Sequence, residues 1–338
     1  MSEANRVWRL RRRPVGEIED GDLSFETEAV PEPEDGQCLM RLNYLSLDPT
    51  NLIWMKQDSY MPAVALDDPM RGLVCGTVVA SRSEQLPEGA VVSGLGTWAD
   101  YQLGTPETVQ VMADTGATPV AETFGTFALV GPTAYVGMID IGQPKQGETV
   151  VVSGAAGAVG SIAGQIAKIQ GCRVVGFAGT DQKCSWLTES LGFDAAINYR
   201  TDDIESAIDA ACLDGIDVYF DNTGGEILDA CLGRMNLFGR VVTCGLISQY
   251  TSSGAWSGPS NYGSILVNRL TVKGFIILDH ADRYPEAIDA LSGWMAEGKL
   301  KARNEIVDGL ENAVDTCKRL FSGEHEGKLM VRVQEITA

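Results

Sequence analysis

The rhythm of hydrophobic and polar positions changes near residue 120. Before it, short apolar runs alternate with turn signals: "QCLMRLNYLSL" follows "PEPEDG", then come "GLVCGTVVAS" and "LPEGAVVSGLGTWADYQL". Such runs, bounded by Gly, Pro, Asn and Asp, predict the strands of an antiparallel or barrel-like domain. Beyond about residue 125 the pattern becomes an alternation of strands and helices. "TVVVSG" predicts a strand, and Val159 to Ile169 repeats apolar residues at helical spacing until Gly171 ends it. "RVVGFAG", "AAINY", "IDVYFDNTGG" and "GRVVTCG" follow as strands, separated by the helical segments "DQKCSWLTESLG", "DDIESAIDAAC" and "EILDACLGRM". This order predicts a parallel sheet with helices on both faces.

A long loop, "LISQYTSSGAWSGPSNYG", interrupts the alternation. Loops of that length are usually functional or disordered. Tyr250, Trp256 and Tyr262, expected to be buried, point to function here. "LTVKGFIIL" predicts a further strand and "DRYPEAIDALSGWMAEG" a helix. The C-terminal segment returns to strand, helix and strand, ending in "GKLMVRVQE". The organisation expected is a first domain, an inserted α/β domain and a tail that rejoins the first.

The stretch "VVVSGAAGAVGS" places a Gly-rich turn between a predicted strand and a predicted helix. It departs from the dinucleotide fingerprint G-x-G-x-x-G at its first position, which is Ala155. Gly157 would let the backbone approach a pyrophosphate, and Gly160 would let the helix pack closely on the strand. The helix N-terminus then offers free N–H groups and its dipole to phosphate. Alone, the motif could be a tight strand–helix turn; inside the β/α series it reads as a dinucleotide site. NAD sites usually carry Asp or Glu at the end of the next strand. Here Ala178, Gly179 and Thr180 leave room for a 2′-phosphate, and Lys183 follows as a cation, so NADP is preferred. Asp181 argues against this unless it caps the following helix.

Composition narrows the classes. The 338 residues are 44% hydrophobic and 21% charged, enough for two domains each with its own core. The net charge of −20 disfavours nucleic acid and anionic membrane as partners. No apolar run is expected to span a membrane. The Arg-rich start lacks the marks of a signal or transit peptide and reads as a first strand with exposed arginines. The eight cysteines form no C-x-x-C pair and read as small buried hydrophobes in a reducing compartment, which makes the cytoplasm the expected location.

With these residues in view, the chain resembles the medium-chain dehydrogenase/reductase superfamily. More narrowly, it is similar to the zinc-free branch of prostaglandin and leukotriene reductases and bacterial curcumin reductases. The resemblance rests on "SLDPTN", "PMRGLVCGTVV", "GLGTWADYQL", "GPTAYVGM", "GAAGAVGS", "INYR", "YFDNTGGE", "GRVVTCGLISQY" and "EGKLMVRV", in order along nearly the whole chain. It implies an α/β protein: a GroES-like β-barrel-type catalytic domain (1–124 and 303–338) plus a Rossmann domain with a doubly wound parallel sheet (125–302). The cofactor and active site are expected in the cleft between them. Carried over by position, the pyrophosphate contacts fall on Ala156, Gly157, Ala158 and Val159. Lys183 and Tyr199 fall at the 2′-phosphate end, and Asn222 after the fourth strand. Cys244, Gly245, Leu246, Ile247, Ser248 and Tyr250 line the nicotinamide side, with Phe275, Ile276, Ile277 and Leu278 on the strand beside it. Where the family often has Asn before its Gly-Lys pair, this chain has His325 or Glu326. A homodimer is implied, pairing through "LTVKGFIIL".

Zinc-dependent members of the superfamily hold a catalytic metal with Cys and His. The corresponding positions here are Asp48, Gly72 and Leu73, and the only histidines are His280 and His325. No metal is expected. Without one, the substrate must already be activated, as an enone or enal is: hydride adds to the β-carbon and charge develops on the carbonyl oxygen. Tyr250 is the first candidate donor and Tyr60 the second. Many relatives carry Tyr where this chain has Thr50, and Trp54, Trp256 and Tyr262 would suit a flat apolar substrate. NADPH-dependent reduction of an enone is the favoured function. A quinone reductase of the same fold and a non-catalytic NADP-binding protein are the alternatives.

Overall fold

The computed structural model describes residues 4–112 and 118–336. Its chain divides into two compact units, 1–128 with 304–338, and 129–303.

In the first unit, Ala4–Leu10 pairs antiparallel with Leu23–Ala29, setting Trp8 opposite Phe25 with their rings stacked at 4.8 Å. The arginines of this ribbon are not simply exposed, as the sequence suggested. Arg9 pairs with Glu26 and Glu28, Arg11 with Glu26 and Asp67, and Arg6 reaches the buried Asp100 at 2.7 Å. Cross-strand partners of opposite charge stabilise such a ribbon. The main sheet of this unit has seven strands. Cys38–Ser46 and Arg71–Ser81 form its antiparallel centre, and the tail returns as Asn304–Asp308 and Lys328–Arg332, parallel to each other. Tyr44, Cys75, Phe124 and Met330 form a core cluster there.

The second unit is a six-stranded parallel sheet. Its strands are β1 (Thr149–Val152), β2 (Arg173–Ala178), β3 (Ala195–Asn198), β4 (Ile216–Asp221), β5 (Met235–Thr243) and β6 (Thr271–Gly274), in spatial order 3-2-1-4-5-6. Val150, Val151 and Val152 are fully buried, as a strand covered on both faces requires. Helix α1 (Ala158–Ile169) crosses from β1 to β2, and its apolar residues pack on the sheet. The strand order reverses between β1 and β4, where open α/β sheets bind ligands beyond the strand ends.

Three further expectations need correction. The strand expected through "LTVKGFIIL" ends at Gly274, so Phe275 to Leu278 lie beyond it, the last two in a 3₁₀ turn over Ile277–Arg283. Phe275 instead fills the space left by the missing side chain of Gly137, where a Cβ would lie 2.9 Å from its ring. Trp256 and Tyr262 are not buried; they are 48% and 69% exposed. A helical segment long and apolar enough to cross a membrane does occur among the described residues, Val120–Gly142, but most of it is buried as a core helix is. All eight cysteines are free, six of them buried and Cys184 and Cys244 partly so.

Candidate functional site

The turn after β1 explains its odd letter. The left-handed conformation is taken by Gly154, at φ +57°, and not by Ala155. Ala155 is fully buried, with its methyl directed at Gly176 of β2, so it costs nothing on the ligand side. Gly160 is essential to the turn: a Cβ there would lie 2.3 Å from the Gly154 carbonyl oxygen. Gly157 is the N-cap of α1 and supplies no side-chain cap. The first N–H groups of a twelve-residue helix are therefore presented without a side-chain acceptor, as phosphate binding requires. Ala158 and Val159 begin that helix, and Ala156 is buried in the turn.

The ends of β2 and β3 bring Gly179, Tyr199 and Arg200 together. Tyr199 sits over Gly179, where a Cβ would meet its hydroxyl at 2.9 Å and Arg200 Nε at 3.3 Å. Asp181 is not the helix cap; Thr180 is, its hydroxyl accepting from the Lys183 N–H at 3.2 Å. The Asp181 carboxylate accepts instead from the Asn198 amide at 2.7 Å. Arg200 escaped the sequence reading, although it closes the quoted "INYR". Its guanidinium stands 5.9 Å from the Tyr199 ring centre and adds a second cation to Lys183 in this region.

The ends of β1, β4 and β5 are laced together. Asn222 donates its amide to the Ser153 carbonyl at 2.7 Å and its N–H to the Ser153 hydroxyl at 2.9 Å. The Asp221 carbonyl accepts from the N–H groups of Cys244 (2.8 Å) and Gly245 (3.1 Å). The Asn222 carbonyl accepts from Ile247, and that of Thr223 from the N–H and hydroxyl of Ser248. Burial pushes the Cys244 thiol up to about 12, so it remains a neutral thiol. Tyr250 closes the group: its hydroxyl accepts from the Leu246 N–H at 3.1 Å, and its ring lies 5.9 Å from that of Trp256. Burial also raises the Tyr250 phenol, which keeps its proton at neutral pH.

Tyr60 belongs to the first unit. It is 46% exposed, its hydroxyl is 2.8 Å from that of Thr50, and its ring meets Trp54 edge-on. His325 contacts the Arg319 carbonyl at 3.2 Å, while the Glu326 N–H donates to Glu305.

The residues at the zinc positions do not fit a metal. One oxygen of Asp48 receives the ammonium of the buried Lys328 at 2.6 Å, and the other the Ser46 hydroxyl at 2.5 Å. Gly72 and Leu73 have no donor to offer. Among the described residues no three His, Cys, Asp or Glu side chains converge as a ligand set.

Comparison with known proteins agrees with this arrangement. Residues 6–112 match a family described as the N-terminal domain of oxidoreductase, and residues 158–293 one described as zinc-binding dehydrogenase. The chain is 39% identical to the NADPH-dependent curcumin reductase of Escherichia coli, over 98% of this chain and 97% of that one. It is 36% identical to prostaglandin reductase 1 of Bos taurus, over 96% and 98%. The solved structure of CurA in complex with NADPH, from Vibrio vulnificus, superposes with a TM-score of 0.92 at 36% identity, covering 98% of this chain and all of that one. The chain thus belongs to the medium-chain dehydrogenase/reductase superfamily, in its zinc-independent branch of curcumin and prostaglandin reductases.

Proposed function

We propose that the chain reduces the carbon–carbon double bond of α,β-unsaturated ketones and aldehydes, with NADPH as hydride source and no metal. The full-length likeness to an NADPH-dependent curcumin reductase carries this conclusion. The uncapped N-terminus of α1, the glycines before it, and Lys183, Tyr199 and Arg200 beyond β2 and β3 support the choice of NADP.

NADPH supplies the hydride when bound. The chain supplies orientation and a donor for the carbonyl oxygen, which gains charge as the β-carbon accepts hydride. Tyr250 is suited to that donation: its hydroxyl accepts from the Leu246 N–H, and burial keeps its proton on at neutral pH. Tyr60 is the second candidate, with Thr50 orienting its hydroxyl. We assign residues 125–302 to cofactor binding, with Ala156 to Val159 at the pyrophosphate, Asn222 holding the turn, and Cys244 to Ser248 and Phe275 to Leu278 on the nicotinamide side.

A homodimer is supported by the edge of the sheet. Strand β6 is outermost and all four of its residues are exposed. Leu266, Val267 and Val272, on and just before it, are 82%, 66% and 45% exposed. An apolar open edge of this kind is a template for pairing with a second copy.

The test is anaerobic oxidation of NADPH, with NADH in parallel, against a medium-chain alkenone and a quinone. Saturated ketone formed with NADPH and little with NADH is the expected result. Turnover of the quinone alone would transfer the activity to quinone reduction.

A further inference from the structure

A buried carboxylate sits where the strand order of the sheet reverses, and the chemistry above makes no use of it. Asp221 ends β4 and is fully buried. Its Oδ1 accepts four hydrogen bonds: from the Ser153 hydroxyl (3.1 Å), the Tyr219 phenol (2.8 Å), and the N–H groups of Thr223 (3.0 Å) and Gly224 (2.8 Å). Its Oδ2 is equally buried and has no hydrogen-bond partner among the described residues. No Lys or Arg forms an ion pair with it among the described residues, although a buried charge is ordinarily paired.

Burial pushes the Asp221 carboxyl up, and the four donors on Oδ1 oppose that by favouring its ionised form. The Ser153 hydroxyl accepts from the Asn222 N–H, so its own proton is directed to Asp221. Tyr219, Cys231, Cys244 and Tyr250 feel the negative charge, and each is kept in its neutral form by burial together with it. The same residue's carbonyl oxygen begins the turn over Cys244 and Gly245. A buried carboxyl with four donors and no ion-pair partner among the described residues thus lies beneath the turn assigned to the nicotinamide side, at the crevice where such sheets bind dinucleotides.

Loss of a hydride leaves the nicotinamide ring with one positive charge, the hydrogen and its electron pair going to the acceptor carbon. We propose that Asp221 favours the oxidised cofactor over the reduced one, its unpaired carboxylate attracting the ring charge that hydride transfer creates. Bound NADPH is thereby a stronger hydride donor than free NADPH. Asp221 acts through the field and through the turn it holds, and touches no reacting atom. Unit charges several ångströms apart in a protein interior interact strongly enough for a tenfold effect. The proposal rests on the NADP(H) assignment and on the nicotinamide-side assignment of that turn, and not on the acceptor.

The experiment compares dissociation constants of NADP+ and NADPH for the full-length protein and for Asp221→Asn, by titration without acceptor. Asparagine keeps the shape and an oxygen for the Thr223 and Gly224 N–H groups. NADP+ affinity is expected to fall at least tenfold more than NADPH affinity. Equal losses, or an unchanged ratio, would show that Asp221 is a structural clamp and overturn the proposal. Should this variant not fold, Tyr219→Phe decides: it removes a donor that favours the ionised carboxylate, so preference for NADP+ should fall about threefold. An unchanged ratio there overturns the proposal equally. Wild-type protein that bound neither dinucleotide would refute the cofactor assignment itself, a failure distinct from equal losses in the variant.

Discussion

Tyr250 combines a proposed proton donor and an observed acceptor in one hydroxyl, and their losses differ in size. Tyr250→Phe removes the proposed donor and the acceptor of the Leu246 N–H. Loss of a general acid costs on the order of a hundredfold in kcat, while the lost hydrogen bond costs about 1 kcal/mol of stability. We expect the kcat loss with an NADPH dissociation constant within about threefold of wild type, an allowance for the loosened turn set by the small size of that loss. The raised phenol gives the pH dependence its sign. Donation persists throughout the neutral range and fails only on the alkaline side as Tyr250 ionises. Steady-state rates from neutral to alkaline pH check this: the alkaline fall should be present in wild type and absent from the variant. An unchanged kcat in Tyr250→Phe would shift the role to Tyr60. At this scale the sequence was legible where a residue's chemistry is carried by its type, as with Lys183 and the tyrosines. It was not legible where the neighbour decides. Nothing along the chain says that Asp181 turns to Asn198, or that Asp221 has no ion-pair partner among the described residues.

The strand–turn–helix element from β1 to α1 depends on close backbone approach, and Gly160 is where that approach is tightest. Gly160→Ala forces a methyl against the Gly154 carbonyl and the Ala155 Cα, which would lie at 2.3 and 2.9 Å. Overpacking of this kind costs about 1–3 kcal/mol, and here the strain falls on the turn proposed to receive phosphate. Calorimetric titration should show NADPH affinity reduced at least tenfold, and thermal unfolding should show a lower Tm. Affinity equal to wild type would mean that the pyrophosphate lies elsewhere. Elements of this kind were readable from sequence because the continuous apolar run of β1 gives way to helical spacing in α1. The end of β6 was not. "GFIIL" continues the apolar run past Gly274, but the backbone leaves the sheet there, where Phe275 packs against Gly137. The apolar length of Val120–Gly142 is equally ambiguous in sequence, since a buried core helix and a membrane span share it.

For the whole molecule, two features lie on surfaces and bear on function. The exposed edge at β6 predicts that Val272→Lys, which puts a charge on the outermost strand, converts a dimer to a monomer. Light scattering coupled to size exclusion would measure this, and a wild-type monomer would remove the dimer from the account. The surface arginines of the N-terminal ribbon are matched by carboxylates, so the charge of −20 leaves that ribbon internally paired. The order of elements and the motif series made the two-part organisation expected. Exposure of Trp256 and Tyr262 could not be foreseen, because it depends on what the loop packs against and not on its composition.

The central claim is that hydride goes to carbon conjugated with a carbonyl and not to the carbonyl itself. The most direct measurement is transfer from NADPH deuterated at the reactive position of the nicotinamide to a medium-chain alkenone, with the product read by NMR and mass. Deuterium at the β-carbon of a saturated ketone is the predicted result. Deuterium on the carbonyl carbon of an unsaturated alcohol would contradict it.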